Sequence, residues 1–195
     1  MSKRVILITG TPCTGKTTIA KQLTTKLDAL YINLTELAKR HSLTQGEDKQ
    51  RKTTIVDEEK MHTKLNQTIE TTKKSNIIID GHYAAAVVPK HHVTRIFVLR
   101  RNPIELRRFM EKSCFQGAKL WENLASEILD VCFVEALREH GKEKVCELDV
   151  TGKTTESVSR EILAILDNRK TCFSGRVDWL EMLETRGLLD EYLKL

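Results

Sequence analysis

Short apolar runs alternate along this chain with longer amphipathic stretches. Val5 to Thr9 places five apolar or β-branched residues in a row, bounded by Gly10. That is the pattern of a strand buried on both faces of a parallel sheet. Comparable runs recur at Leu30–Ile32, Asn76–Asp80, Thr94–Leu99 and Val145–Val150. Between them the apolar positions fall at helical spacing. Leu23 and Leu27 continue the face begun by Thr18-Ile19-Ala20, and Met61, Leu65 and Ile69 form one stripe of a helix capped by Asp57 and running through Thr72. Leu120, Leu124, Ile128, Val131, Phe133 and Leu137 predict one long helix from Lys119 to His140, stopped by Gly141. Asn33 is placed to cap a helix from Leu34 to His41, Pro103 suits the first turn of another, and a further helix spans Thr154 to Leu166. Strands alternating with helices predict an α/β fold, a doubly wound five-stranded parallel sheet with helices on both faces.

Two stretches break this rhythm. Residues 42–54 are polar and read as a loop, in which Lys49, Arg51 and Lys52 serve either a phosphate or RNA contact or simply a solvated surface. From Arg169 onward, Trp179, Leu180, Leu183, Leu188, Leu189, Tyr192 and Leu193 recur at helical spacings around a break at Gly187. This tail is either a helix pair docked on the core or a surface for a partner.

The candidate chemistry sits at the end of the first strand. Gly10-Thr-Pro-Cys13-Thr14-Gly15-Lys16-Thr17 fits the phosphate-loop pattern G-x-x-x-x-G-K-[ST]. Glycines let the backbone wrap closely round a polyphosphate with its N–H groups inward, and the following helix adds its positive dipole end. Gly10, Cys13, Thr14, Gly15, Lys16, Thr17 and Thr18 are therefore the expected positions for binding a nucleotide's phosphates, the ATP site on the family resemblance given below. Lys16 reaches toward the β- and γ-phosphates, and the Thr17 hydroxyl is the expected magnesium ligand. Three isoleucines then end in Asp80, at the carboxyl end of a strand where open α/β sheets bind ligands. Asp80 is the candidate Walker B carboxylate, holding magnesium directly or through water. His82, two residues on, is placed to orient water or assist phosphoryl transfer; a structural role is the alternative.

Composition changes this picture little. The chain has 195 residues, 40% hydrophobic and 30% charged, which suits one soluble domain with no low-complexity tract. Its formal charge of +5 accommodates polyphosphate ligands and permits RNA contact. No apolar run approaches a membrane span, and the first strand begins at once, leaving no room for a signal peptide. Five scattered cysteines without C-x-x-C spacing predict reduced thiols and a cytoplasmic setting, with neither zinc nor a disulfide.

With these residues in view the chain resembles a known family. The GTPxTGKTT loop, YIN-LTELAK, IVDEE, the IIIDGH strand end, IFVLRRNP and the ENLASEILDV helix follow one another in order. Together they are similar to the adenylate kinase isoenzyme 6 (CINAP-like) type of nucleoside monophosphate kinase and its archaeal relatives, over about residues 3 to 166. The resemblance implies a P-loop kinase-type fold with a small monophosphate-binding insert at about Asn33 to Thr54 and a short lid at about Glu111 to Trp121. It implies transfer of the γ-phosphoryl of Mg-ATP to AMP or a related monophosphate, with slow ATP hydrolysis. It also implies a part in maturation of the small ribosomal subunit, through a small-subunit ribosomal protein and with rRNA near by. Carried onto this chain, it adds Asn33, Lys39, Arg108 and Lys112 as candidate substrate-binding residues.

Two departures from that family qualify the expectation. Cys13 stands where relatives have glycine, so its side chain must point away from phosphate. Relatives also carry an R-L-x-x-R-G-Y lid, where this chain reads Arg108-Phe-Met-Glu-Lys112-Ser113-Cys114-Phe115. Ser113 occupies the lid arginine's position, and Lys112 or Lys119 is left to substitute without an arginine's bidentate fork. Nucleotide binding is thus expected more firmly than fast phosphotransfer.

Overall fold

A computed structural model describes residues 3–48 and 53–194. The chain runs β1 (Arg4–Thr9), α1 (Lys16–Lys26), β2 (Leu30–Asn33), α2 (Leu34–Arg40), β3 (Thr44–Asp48), β4 (Thr53–Val56) and α3 (Glu58–Thr71). It continues through β5 (Asn76–Asp80), α4 (Ala84–Val87), β6 (Val93–Arg100), α5 (Pro103–Lys112), α6 (Gly117–Ile128) and α7 (Val131–His140). The last elements are β7 (Val145–Asp149), α8 (Thr155–Leu166), α9 (Trp179–Thr185) and α10 (Leu189–Tyr192).

Five strands form one parallel sheet in the order β2-β5-β1-β6-β7. The unbroken apolar runs follow from burial on both faces. Val5 and Leu7 of β1, Ile77 and Ile79 of β5, and Ile96 and Val98 of β6 face one core, with Met61, Leu65 and Ile69 of α3 and Phe133 of α7. Ile6, Ile8, Ile78, Phe97 and Leu99 face the other, under Ile19 and Leu23 of α1 and Val158 and Ile162 of α8. This is the doubly wound sheet expected from the sequence. Register sets Asp80 beside Ile8 and beside Asn33, so the ends of β1, β2 and β5 open onto one crevice. No helix among the described residues is long and apolar enough to cross a membrane.

Three expectations need correction. The polar stretch 42–54 is not all loop: β3 and β4 pair as an antiparallel hairpin, closed at its base by Asp57 N–H donating to the Leu43 carbonyl (3.0 Å). Thr44, Gln45, Gly46, Ile55 and Val56 are all exposed or half-buried, and of these Val56 packs against the core, so among the described side chains of the ribbon no alternation of apolar and polar positions marks it. Lys49, Arg51 and Lys52 lie outside the described residues. The long helix 119–140 is in fact two, because Asp130 takes a left-handed φ of 58° and turns its carboxylate onto Arg100. Val131, placed on the predicted stripe, is 49% exposed beyond that break.

Cys146 and Cys172 are joined by a disulfide, against the expectation of reduced thiols, and Cys13, Cys114 and Cys132 are free. Spacing hid this pairing because the chain after α8 returns alongside β7, where Glu147 N–H donates to the Phe173 carbonyl (2.8 Å). The stretch expected as a lid, about residues 111–121, takes in the end of α5, a turn at residues 113–116 and the start of α6, and the two helices pack together through Leu106, Met110, Leu120 and Leu124. The tail docks: Leu183 of α9 and Tyr192 of α10 close over Ile128.

Candidate functional site

The phosphate loop is fixed by its surroundings. At Gly10 (φ 131°) an added Cβ would lie 2.4 Å from the Leu99 carbonyl oxygen, so β6 approaches too closely for any side chain. Gly15, left-handed at φ 96°, caps α1, whose first turn carries no acidic residue to compete with a bound anion. Thr14 is buried and its hydroxyl donates to the Thr11 carbonyl (2.9 Å). Cys13 also has a left-handed φ, 67°, and its side chain packs against the α5–α6 cluster of Leu106, Met110, Leu120 and Leu124, as do Phe115 and Trp121. It turns outward from the loop, as its size requires. Thr17 and Thr18 are exposed at the start of α1.

Lys16 Nζ donates to the Thr11 carbonyl oxygen at 2.8 Å. Among the described residues no carboxylate pairs with it, and desolvation pulls its pKa below the ordinary lysine value against the pull of Asp80. A half-enclosed ammonium resting on a backbone oxygen is a ready partner for an anion. Asp80, 1% exposed, accepts at Oδ2 from the Thr17 hydroxyl (2.7 Å), the Tyr31 hydroxyl (3.0 Å) and the Asn33 amide (2.9 Å). Burial, with Asp80 next, pushes the Tyr31 phenol up to about 12, so it stays a donor. Asn33 Oδ1 meanwhile accepts from Glu36 N–H and caps α2. Both ends of the Asn33 amide are therefore committed, and in this structure it acts on the site through Asp80.

His82 is exposed on the floor of the crevice. Desolvation there, then the Lys16 charge, lowers its pKa to about 4, so the ring is neutral at pH 7. Its backbone is clamped, the carbonyl accepting from Thr9 Oγ1 (3.1 Å) and the Cys132 thiol (3.7 Å). The Cys132 thiol is pushed up to about 11 by burial and is unreactive.

Next to His82 lies a cavity of about 480 Å³, walled by Thr35 and Lys39 of α2, Ile55 of the hairpin, Tyr83, and Lys119 of α6. Its volume is within the range of small-ligand sites. Of the expected substrate residues it gathers Lys39; Arg108 and Lys112 are exposed on α5 and do not line it. Lys119, considered only as a lid substitute, does. A depression of about 310 Å³ at the far end of the sheet, by Arg95 and Arg169, has no part in this crevice, and its Arg169 and Lys170 already pair with Asp167 and Glu161.

Two contributors were not singled out by sequence. Tyr83 lines the cavity, and its hydroxyl is buried with no hydrogen-bond partner among the described residues. Arg101 reaches the Thr14 carbonyl (3.4 Å), pairs with Glu105 and lies over the Phe109 ring. The adjacency of Tyr83 to His82 was the available signal for the first; nothing in the Arg100-Arg101 pair distinguishes which arginine meets the loop.

The AAA domain family matches residues 6–130. The protein called "Putative adenylate kinase" in Methanococcus maripaludis is 34% identical over 182 residues, 91% of this chain and 96% of that one. Its namesake in Methanocaldococcus jannaschii is 36% identical over 176 residues, covering 90% and 93%. Among solved structures, a shikimate kinase from Acinetobacter baumannii superposes with a TM-score of 0.60 at 16% identity, covering 87% of this chain and 96% of its own. A thymidylate kinase from Candida albicans gives 0.56 at 18%, covering 89% and 96%. At such identities these two show the fold alone. The long archaeal matches show more, and the chain belongs to the AAA-domain P-loop family of these adenylate kinase homologues, as an adenylate-kinase-like nucleotide kinase.

Proposed function

We propose that this protein transfers the γ-phosphoryl group of Mg-ATP to AMP or a related nucleoside monophosphate. The observation that carries the reading is the meeting, on either side of His82, of an anion-ready loop around Lys16 and a cavity walled by Lys39 and Lys119. One cleft thus offers a seat for a polyphosphate and a seat for an acceptor.

The residues present suit the cofactor. Thr17 Oγ1 and Asp80 Oδ2, 2.7 Å apart, are hard oxygen donors of the kind magnesium takes one or two at a time beside substrate phosphates. When bound, the ion would offset negative charge on the β- and γ-phosphates. The chain's own residues do the rest. Loop N–H groups and Lys16 hold the triphosphate and steady charge on the oxygen that leaves. Lys39 and Lys119 hold the acceptor's phosphate so that one of its oxygens faces the γ-phosphorus. As that oxygen bonds to phosphorus, the bond to the β-phosphate oxygen breaks, giving two diphosphates. Neutral His82 borders the transfer point as an acceptor or donor of a hydrogen bond.

A second reading is an ATPase serving maturation of the small ribosomal subunit, with a ribosomal protein as partner. Exposed Ser113 in the α5–α6 turn favours it, because a lid without an arginine admits water more readily. Purified protein with Mg-ATP, followed chromatographically with and without AMP, decides between the two. ADP formed at twice the rate of ATP loss without free phosphate is the expected result. ADP and inorganic phosphate regardless of AMP make it an ATPase.

A further inference from the structure

The C-terminal helices are tied into the phosphate loop through one buried carboxylate. Glu127, in the last turn of α6, is 1% exposed. Its Oε1 accepts from the Trp179 indole Nε1 (3.0 Å), Arg100 Nε (3.0 Å) and the Arg101 backbone N–H (3.0 Å). Its Oε2 accepts from the Thr11 hydroxyl at 2.6 Å. Thr11 is itself buried, and its carbonyl receives Lys16 Nζ and the Thr14 hydroxyl. From the indole to the loop lysine there are only two intervening residues, Glu127 and Thr11. The stretch before Trp179 is anchored to the same centre, because Glu147 accepts from Arg100 Nη1 (2.7 Å) at one oxygen and from Arg176 N–H (2.8 Å) at the other.

We infer that Trp179 is a positioning residue of the phosphate site, setting Lys16 through Glu127 and Thr11, so that tail docking and ATP affinity are coupled. The inference rests on reading the loop as an ATP site. Hydrogen bonds to a buried carboxylate are strong and directional, so donors on Oε1 fix where Oε2 points. Oε2 is the oxygen that holds Thr11, and the Thr11 carbonyl is where Lys16 rests. Losing the indole N–H frees the carboxylate to turn toward its remaining donors and slackens that chain. A tryptophan that merely glued the tail down would have no selective effect on one ligand. Coupling has a second consequence: if the docked tail favours ATP, ATP must equally favour the docked tail.

Trp179→Phe keeps the ring in its apolar seat and removes only the donor. The test measures ATP and AMP binding by calorimetry, and amide exchange over residues 169–178 with and without ATP. In the wild type ATP slows that exchange and AMP does not. In Trp179→Phe, ATP affinity falls at least about fivefold, the low end of couplings between sites, AMP affinity is unchanged, and ATP no longer protects the tail. Thr11→Val approaches from the loop and leaves the tail's residues intact, so it stands even if Trp179→Phe folds poorly. It lowers ATP affinity and abolishes the protection, and the double variant binds ATP no worse than Thr11→Val alone. Wild-type affinity in Trp179→Phe, equal weakening of ATP and AMP, or losses that multiply in the double variant would overturn the inference. Lys16→Ala separates the two levels. If wild type binds ATP and Lys16→Ala does not, the site reading holds whatever Trp179 does; a wild type that binds no ATP removes both.

Discussion

The two ends of the cleft are built on different terms. At the phosphate end the groups that carry charge are held by other parts of the protein: Lys16 by Thr11, and Asp80 by Thr17, Tyr31 and Asn33. At the acceptor end Lys39 and Lys119 are exposed, and Lys39 makes no ion pair among the described residues. One wall of that end is a hairpin outside the main sheet, the other a helix that follows a four-residue turn. A preorganised site spends little of its binding energy on ordering side chains; an open one must order them as the ligand arrives. On the proposed reading the first end suits tight, geometry-dependent binding, and the second suits acceptors held mainly by charge.

The sharpest way to break this contrast is at Lys16. Lys16→Ala should lower Mg-ATP turnover by about 10²–10³-fold, the usual cost of removing a preorganised charge donor, while thermal unfolding changes little because the ammonium makes no ion pair among the described residues. Asp80→Ala should cost turnover comparably. It should also lower stability in denaturant unfolding by about 1–3 kcal/mol, because its three donors lose their acceptor inside the protein. Turnover within a few-fold of wild type in both variants would remove the phosphate end from the chemistry.

Smaller effects belong to the acceptor end. Lys39→Ala and Lys119→Ala should each raise the KM for AMP by roughly tenfold, about one charge-assisted hydrogen bond, with ATP affinity untouched. Lys112→Ala, outside the cavity, should leave both constants alone. If instead Lys112 moves the AMP constant and Lys119 does not, the lid closes differently from the arrangement seen here. Ser113→Arg would sharpen the comparison by placing a bidentate donor in the turn. Kinase turnover should then rise by a factor of about two to five at constant KM, as a second cation reaches the transferring group.

The same contrast explains what could be read in the sequence. The phosphate end follows from local pattern: a doubly buried strand, fixed glycines, and Asp80 at a strand's end all leave their mark within a few residues. Helix caps at Asn33 and Asp57 were equally local and are as expected. The acceptor end depends on which long-range faces meet. Among its described side chains the β3–β4 ribbon shows no buried stripe to pattern, so it looked like loop. The break at Asp130 is paid for by Arg100, a partner 30 positions away. Trp179 was visible only as one apolar position among seven in the tail, since its hydrogen bond to Glu127 spans 52 residues. Cys172 meets Cys146 for the same reason, across a returning segment that no spacing rule foretells.

The smallest expected effect lies at His82, on the border between the two ends. Its folded-state pKa of about 4 is below the ordinary 6.5, chiefly through desolvation and then through Lys16. Above pH 6.5 neither folded nor unfolded chains are protonated there, and the group's contribution to stability is complete. As pH falls from 6.5 toward 4 the unfolded chain takes up a proton that the folded chain refuses, so stability declines across that window and levels off below it. His82→Gln removes this component while leaving those of buried His140 and of His92, whose pKa values are also lowered. The variant's unfolding midpoint should therefore drop less than that of the wild type between pH 7 and pH 5. The difference should be modest, because the ring is open to solvent in the crevice. Equal drops would mean that the folded chain does not lower the His82 pKa, and that neither desolvation nor the Lys16 charge sets its protonation in the unliganded protein.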